Sequence, residues 1–201
     1  MNTQLVLDNV NKHIQLTAPE QKIFAGMLRT HIYRRKMFVY RRKMFALRGG
    51  EVSRDSIFVN DGALKGYTID KEGREHVLQF ALQGWWIADM YSLISGNKGV
   101  LNIEALVDTH VLLLSRDDQQ QLYEQVPKFE RFFRILTENS LVASQQRLIN
   151  NLSLSAEERY LHFTEKYPFI LECAPQHSIA SYLGITPEFL SKIRARLAKK
   201  K

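Results

Sequence analysis

The apolar positions of this chain follow three successive patterns, and each pattern predicts a different kind of structure. Between residues 3 and 30 they recur at helical spacing, and Thr17-Ala-Pro-Glu20 has the form of a helix start, with a hydroxyl cap and a glutamate three residues later. From residue 31 to 116, short runs rich in Val, Ile, Leu, Tyr and Phe alternate with turn sequences such as NDG at 60 and SGNKG at 95. Closely spaced runs of this kind predict a small antiparallel barrel or sandwich.

Beyond residue 116 the pattern becomes helical again. Ser115 followed by Arg-Asp-Asp predicts a capped helix with an acidic first turn, and a long helical pattern then covers residues 127–151. Ser155 is the predicted cap of a further helix that ends at residue 166, just before Tyr-Pro. The last 27 residues contain two short helical patterns around Gly184.

The C-terminal sequence HSIASYLGITPEFLSKIRARLAKKK predicts two helices that cross closely around a glycine. Gly184 permits the left-handed turn that ends the first helix, and Thr186-Pro187-Glu188 has the residues of a second helix start. Small Ala180 allows the close crossing that a helix-turn-helix requires. An ordinary helical hairpin with a solvated basic face is the plainer alternative. The apolar residues expected between the helices are Ile179, Leu183, Ile185, Leu190, Ile193 and Leu197.

In a helix-turn-helix, the exposed face of the second helix contacts duplex DNA. Early polar residues on that face can reach base edges, and later Lys and Arg residues can neutralise phosphates. The residues predicted to bind DNA are Thr186, Pro187, Glu188, Ser191, Lys192, Arg194 and Arg196.

The long helix carries a stripe of side chains at three- and four-residue spacing. Aromatic residues are dense at its start, and small or polar residues follow. Such a stripe packs either against its own domain or against a second copy of the chain. Because one domain precedes this helix and another follows it, we expect it to form a dimer interface. The residues predicted for that interface are Phe129, Phe133, Leu136, Ser140 and Ala143.

The charge of the chain favours a polyanionic partner. The formal net charge is +7 and the sequence pI is about 9.5. Basic residues concentrate in the C-terminal tail and in YRRKMFVYRRKMF (33–45). This segment contains the sequence YRRKMF twice, and the two copies begin seven positions apart. Because side chains alternate along a strand, two such copies cannot be buried alike in one strand. We interpret the first copy as a tandem duplication that lengthens a hairpin of the β region.

Several classes of protein do not fit the sequence. The single cysteine, Cys173, excludes an internal disulfide and any four-cysteine cluster. No apolar run approaches the roughly 20 residues that span a bilayer, and the N-terminus lacks the features of a signal peptide. We therefore expect a cytoplasmic protein without a membrane partner. The β region shows no nucleophile elbow, no Gly-rich phosphate loop and no cluster of metal ligands, so we expect neither an enzyme nor a metal site.

Four stretches of the chain, residues 47–94, 104–118, 155–168 and 178–200, together resemble one family of proteins. The pairing of ERY at 158 with IASYLGITPE at 179 is the most specific part of the resemblance. The family is the cyclic-AMP receptor protein / fumarate–nitrate regulator (Crp/Fnr) family of bacterial transcription factors.

The resemblance implies an α+β fold and a function in transcription. It implies a homodimer that binds palindromic double-stranded DNA with its two recognition helices about 34 Å apart, and it allows RNA polymerase as a further partner. A different interpretation is a small-molecule sensor or protein-interaction module whose helix-turn-helix does not bind DNA. The implied domains are a jelly-roll-like double-stranded β-helix with N-terminal helices as the effector domain (1–125), a dimerisation helix (126–152), and a winged-helix-like helix-turn-helix domain with a truncated wing (153–201).

The resemblance weakens at the effector pocket. Members that bind a cyclic nucleotide carry Gly-Glu after a strand, which holds the ribose, and further along Arg-Ser or Arg-Thr, which neutralises the phosphate. The matching positions here are Ala88, Asp89, Gly99 and Val100, so no arginine is present. Lys98 is adjacent, but in a strand a one-residue offset turns it to the other face. An unpaired phosphate in a half-buried pocket is costly, and we therefore assign neither a cyclic nucleotide nor another cofactor.

A small-molecule effector of unknown identity is retained as a partner. Ser144 and Gln145 lie on the long helix where the family's base-contacting residues would lie. Members that sense oxygen through iron–sulfur use several cysteines, and this chain has one. His76 and His110 are the candidates for a haem ligand, and we interpret them as ordinary surface or strand histidines. The predicted effector pocket is Ala88, Asp89, Gly99, Val100, Ser144 and Gln145.

Overall fold

The computed structural model describes residues 3–35 and 45–199, in which nine helices and eight strands are found. The helices are α1 (Gln4–Asn11), α2 (Ala18–Met27), α3 (Met90–Ser95), α4 (Arg116–Gln125), α5 (Lys128–Ser153), α6 (Ala156–Lys166), α7 (Pro168–Cys173), α8 (Gln176–Leu183) and α9 (Pro187–Ala198). The strands are β1 (Arg29–Tyr33), β2 (Phe45–Leu47), β3 (Asp55–Asp61), β4 (Ala63–Ile69), β5 (Glu75–Leu82), β6 (Trp86–Ile87), β7 (Asn102–Ala105) and β8 (Thr109–Ser115).

The strands form two four-stranded antiparallel sheets, in the orders β1-β8-β3-β6 and β2-β7-β4-β5. Side chains alternate along each strand, so one side of each sheet turns towards the other sheet. The residues between the sheets include Ile57, Val59, Leu64, Ile103 and Val111, none of which is more than 3% exposed. The strands therefore form a roll of two sheets rather than one closed barrel, which confirms the predicted jelly-roll-like α+β fold.

Helices begin where the capping sequences predicted them. The Ser115 hydroxyl accepts a hydrogen bond from the Asp118 amide at 3.0 Å, and the Glu20 carboxylate accepts one from the Thr17 amide at 2.7 Å. At the start of α6 the same arrangement recurs between Ser155 and the residue three positions on, Glu158. Hydrogen bonds from the Ser155 hydroxyl and amide lower the pKa of Glu158.

A second core lies on the outer side of the first sheet, where the N-terminal helices pack. Phe58, Leu112 and Leu114 point outwards from this sheet and are at most 1% exposed. Helices α1, α2 and α4 and the beginning of α5 cover them with Val6, Val10, Phe24, Leu122, Phe129 and Phe132. The first turns of the long helix are thus part of the roll.

A third core joins the roll to the C-terminal helices. Tyr67, Val77 and Phe80 point outwards from the second sheet, and they share one apolar cluster with α6, α7, α8 and α9. The helical residues of this cluster include Phe163, Ile170, Ile179, Leu183 and Ile193. Helices α6 to α9 therefore pack directly on the roll in this conformation.

The structure differs from the sequence interpretation in two helices. The family resemblance matches residues 85–94, WWIADMYSLI, to a strand. Only Trp86–Ile87 is extended, and α3 follows from Met90. Residues 98–100 are not in a strand either, so strand alternation does not decide the direction of Lys98. Helix α7 was not predicted, and Pro168 at its first position suits a new helix start.

Within the described ranges, no helix is long and apolar enough to cross a membrane, and no group of three or more His, Cys, Asp or Glu residues could hold a metal ion. His76 lies 2.8 Å from the Asp70 carboxylate. This contact, together with amides of the same turn, lowers the pKa of Asp70 to about 2.

Most of the repeated segment lies outside the described residues, because 36–44 are not described. The beginning of the first copy belongs to the roll, because Tyr33 lies in its core and is 8% exposed. The Asp108 carboxylate accepts hydrogen bonds from the Arg34 side chain at 2.6 Å and from the Arg35 amide at 2.8 Å. Phe45, the last residue of the second copy, begins β2. The first copy therefore contributes to the fold at Tyr33, and the tandem duplication stays a prediction.

We expect a chain that lacks residues 33–39 to keep its fold. The deletion joins Ile32 to the second Tyr-Arg-Arg, at 40–42, so an identical tyrosine and two arginines would follow β1. Because shortening a loop changes its closure free energy by less than about 1 kcal/mol, the midpoint of thermal unfolding should shift by no more than about 5 °C. Circular dichroism measures this midpoint, and loss of the cooperative transition would show that both copies are required.

Candidate functional site

The helices α8 and α9 have the arrangement that their sequence predicts. Gly184 has a φ of 68° and ends α8. The Thr186 hydroxyl accepts a hydrogen bond from the Phe189 amide at 3.2 Å and caps α9. Leu190 and Ile193 are 0% and 2% exposed and pack into the core that α9 shares with α6 and α8. The opposite face of α9 is left in solvent.

All seven residues predicted to bind DNA are exposed. Lys192 and Arg194 form no salt bridge with any residue in the described ranges, so their charges are available to a phosphate. Arg196 forms an ion pair with Glu157 of α6, so its charge is partly neutralised within the chain. Hydrogen bonds from its own amide and from Thr186 lower the pKa of Glu188. The exposed face thus combines one carboxylate early in α9 with unpaired cations later in the helix.

Asp89 is a structural cap in this fold. Its Oδ1 accepts a hydrogen bond from the Ser92 amide at 3.1 Å, and its Oδ2 accepts one from the Leu101 amide at 3.2 Å. The residue is 6% exposed. A Cβ atom on Gly99 would overlap the Asp89 carboxylate, so this carboxylate occupies the space that a side chain at 99 would need. Asp89 is thus engaged with backbone amides and leaves no room for a side chain at Gly99, while the role of both residues at a ligand stays a prediction.

A cavity of about 860 Å³ lies between strands β5 and β6, helix α5 and the C-terminal helices. Four of the predicted effector-pocket residues line it: Ala88, Asp89, Val100 and Ser144. Gly99 and Gln145 are not among the lining residues; Gln145 is exposed on α5. The aromatic lining, which sequence reasoning missed, consists of Phe80, Trp85, Trp86, Tyr167 and Tyr182.

The predicted dimer residues on α5 range from buried at the start of the helix to exposed at Ser140 and Ala143. Phe129 is fully buried in the second core, and Phe133 and Leu136 pack against that same core. Ser140 and Ala143 line the cavity. Phe129 is therefore enclosed by its own fold here, and the dimer role of the five residues stays a prediction.

A neighbouring face of α5 is apolar and exposed, and its Leu148 also lines the cavity. Leu141 and Leu148 are seven residues apart, as are Val142 and Ile149, and with Leu152 these residues are between 53% and 82% exposed. We call this set (Leu141, Val142, Leu148, Ile149 and Leu152) the α5 seam. A repeat of seven with apolar residues is the signal of two helices that pack along each other. The seam was missed because the aromatic stripe on the other face is denser.

The cavity ends where α5, the roll and α8 meet. The Arg147 guanidinium donates to the carbonyls of Val77, at 2.9 Å, and Tyr182, at 3.0 Å, and also to the Leu78 carbonyl. It lies 4.1 Å from the centre of the Tyr182 ring. The Ser181 hydroxyl adds a second link, since it accepts from the Val77 amide and donates to a carbonyl of β5. Arg147 thus ties α5 to both the roll and α8.

Known proteins share both the sequence and the architecture of this chain. Residues 38–126 match the cyclic nucleotide-binding domain family. Over 168 residues the chain is 26% identical to the regulatory protein HlyX of Actinobacillus pleuropneumoniae, which covers 76% of this chain and 67% of that protein. Over 163 residues it is 23% identical to the fumarate and nitrate reduction regulatory protein of Vibrio cholerae, with 76% and 64% covered. These matches support a Crp/Fnr-type transcriptional regulator, the family that the sequence resembles.

Solved Crp/Fnr structures have the same fold. FixK2 from Bradyrhizobium japonicum superposes with a TM-score of 0.72 at 22% identity and covers 86% of this chain and 85% of its own. CLP from Xanthomonas campestris, described as a c-di-GMP responsive global regulator, superposes with a TM-score of 0.69 at 16% identity over 92% and 93%. The roll, the long helix and the C-terminal helices thus form the architecture of the Crp/Fnr family.

Proposed function

We propose that this chain is a cytoplasmic regulator of transcription that binds duplex DNA through α9. The observation that carries the proposal is the exposed face of α9, on which Lys192 and Arg194 form no salt bridge with a described residue. Leu190 and Ile193 anchor the helix from behind. Polar residues at the start of such a helix can read base edges, and its cations can neutralise phosphates. The net charge of +7 supports a polyanionic partner.

The active form in this proposal is a symmetric dimer that pairs through the α5 seam. Leu141, Leu148 and Leu152 lie on the side of α5 that the roll does not cover, and a second copy could cover them with its own α5. The working division of the chain stays 1–125 for the effector domain, 126–152 for the dimerisation helix and 153–201 for the DNA-binding domain. A palindromic operator matches such a dimer, and RNA polymerase is retained as a partner on family resemblance alone.

The proposed regulator does not use a cyclic nucleotide. Asp89 is occupied by the amides of Ser92 and Leu101, and Gly99 has no room for a side chain. Gly99 and Val100 stand where the resemblance would place the arginine and serine that hold the cyclic phosphate. A carboxylate without a neighbouring cation would repel a phosphate rather than bind it.

The proposal is tested with the variant Lys192→Ala/Arg194→Ala. Each phosphate contact that is lost should reduce the slope of log K against log salt by about 0.9, and affinity at moderate salt should fall at least about tenfold. Band shifts with duplex DNA from immediately upstream of the chain's own gene, at several salt concentrations, measure both quantities.

A matched control is Lys12→Ala/Lys22→Ala, which removes the same charge from exposed positions just after α1 and on α2. The control should bind DNA as the unchanged chain does. Equal binding by all three proteins would refute a role for α9, and absence of any DNA binding by the unchanged chain would favour a sensor or interaction module.

A further inference from the structure

Two arginines beside the cavity are held by carbonyl oxygens alone. Arg147 donates to three carbonyls, and Arg159 donates to those of Leu154, at 2.9 Å, and Leu183, at 3.1 Å. Neither arginine forms a salt bridge with a described residue, and the same holds for Lys166. Carbonyl oxygens carry only partial charge, so this part of the molecule holds positive charge that its own carboxylates do not balance.

Arg147 is the most enclosed of these cations. Burial lowers the pKa of its guanidinium, which means that the charged form is under-solvated where it lies. Its Nε is buried and has no hydrogen-bond partner. A buried donor without a partner costs free energy, and in a native site it commonly marks a place for a ligand group or a water.

The space next to Arg147 is large enough for a small organic molecule. The cavity of about 860 Å³ adjoins a lobe of about 330 Å³, and both are lined by Arg147, Lys166, Tyr167 and Tyr182. No described acidic residue lines the lobe. In the main cavity the one acidic lining residue is Asp89, whose two oxygens already accept from backbone amides. The lining is therefore suited to an anion.

The walls of the cavity favour a flat molecule. Trp85 and Trp86 from the roll and Tyr167 and Tyr182 from the C-terminal helices line it. The Trp85 and Tyr167 ring centres are 5.9 Å apart, and the Arg147 guanidinium stacks on the Tyr182 ring. Aromatic faces bind planar groups well, and a guanidinium binds a carboxylate through parallel hydrogen bonds.

We propose that this crevice binds a small planar organic anion, an aromatic carboxylate, with its acid group at the Arg147–Lys166 end and its ring between the aromatic side chains. The proposal extends the proposed function by naming a class of effector, and it depends on that function only for its regulatory consequence.

The effect of a bound ligand on DNA binding follows from the hydrogen bonds that Arg147 forms when no ligand is bound. Arg147 ties α5 to β5 and to the end of α8, so a carboxylate on the guanidinium would compete with the carbonyls of Val77, Leu78 and Tyr182. Weakening these bonds would loosen the contact between the DNA-binding helices and the roll. Ligand binding and DNA binding would then be coupled, each altering the affinity for the other by the same factor.

The experiment uses the full chain and its own fluorescence. The sequence contains two tryptophans, Trp85 and Trp86, and both line the cavity. Titration with naphthalene-2-carboxylate should change their emission in a saturable manner. Naphthalene-2-carboxamide has the same ring without the charge, and it should bind at least about tenfold more weakly, since a charge-assisted hydrogen bond contributes more than about 1.4 kcal/mol.

Variants test whether Arg147 holds the negative charge of the bound molecule. Arg147→Gln should weaken carboxylate binding at least about tenfold and leave the weak amide binding unchanged. Arg134→Gln removes a charge from an exposed position on the same helix and should bind as the unchanged chain does. If Arg147→Gln fails to fold by circular dichroism, Lys166→Gln, an exposed position, replaces it with the same expectation.

Three outcomes overturn the proposal: no saturable change with the carboxylate, equal affinity for carboxylate and amide, or a fluorescence change that follows protein concentration and not ligand. The last result would show that a second copy of the chain fills the crevice. No DNA is present in these titrations, so their failure leaves the DNA-binding proposal untouched. Conversely, a chain that binds the carboxylate and no DNA would keep the site and refute the regulator.

Discussion

A chain that carries Leu141→Glu and Leu148→Glu is expected to be monomeric and to bind a palindromic operator about 100-fold more weakly than the unchanged chain. Both leucines belong to the α5 seam, at 58% and 61% exposure. In a dimer each would lie against the same residue of the second copy, so two glutamates would place four negative charges along the interface.

The loss of DNA affinity follows from the loss of the second recognition helix. A dimer binds the second half of a palindrome as an intramolecular event, and this gain commonly lies between about 10² and 10⁴. A monomer retains only the contacts of one α9. Analytical ultracentrifugation measures the oligomeric state, and band shifts with whole and half operators measure the two affinities.

The matched control is Ile32→Glu/Val52→Glu. These two residues are apolar, are 39% and 38% exposed, and lie on the roll away from α5. The control should remain dimeric with unchanged DNA affinity. A dimer that survives the glutamates on α5 would show that the copies pair through another surface.

The second large effect is expected from Gly99→Ala, which should reduce the free energy of unfolding by about 3 kcal/mol. The added methyl group would overlap the Asp89 carboxylate and lie 3.0 Å from the Ser92 Cβ. Asp89 can move only by giving up the amides of Ser92 and Leu101, which would leave a buried carboxylate and two buried amides unsatisfied.

Gly96→Ala, at the other end of α3, is the control for backbone strain. Gly96 has a φ of 71° and nothing within 4 Å of an added Cβ, so alanine there should cost about 1 kcal/mol. Urea unfolding monitored by tryptophan fluorescence compares the two variants. Equal costs would show that Asp89 gives way easily and that the pocket could accept a larger side chain at 99.

Much of the fold could be predicted because its signals are local. The caps at Thr17, Ser115, Ser155 and Thr186 depend on residues three positions apart, and all four helices begin where these signals lie. The turn at Gly184 depends on one residue that tolerates a positive φ. The exposed face of α9 followed from the same local pattern.

The candidate site was less predictable because its residues meet across the chain. Asp89 was interpreted as a ligand group, but whether a carboxylate is free depends on the amide of Leu101, twelve residues away. Arg147 continues the three- and four-residue spacing of the stripe after Ala143, yet its partners Val77 and Leu78 lie about 70 residues earlier in the chain. No periodicity in the sequence indicates such contacts.

The long helix shows which features the sequence predicts and which features only the tertiary structure decides. The sequence by itself predicted one long helix over residues 127–151 with a stripe at helical spacing, close to the observed Lys128–Ser153, since helical spacing and the flanking Pro127 and Ser155 are local properties. Only the tertiary structure decided that the face with Phe129 is buried in the roll and that the face with Leu141 and Leu148 is left in solvent. The physical reason is that a helix has several faces that could pack against a neighbour. The shape of the neighbouring surface determines which of these faces is buried.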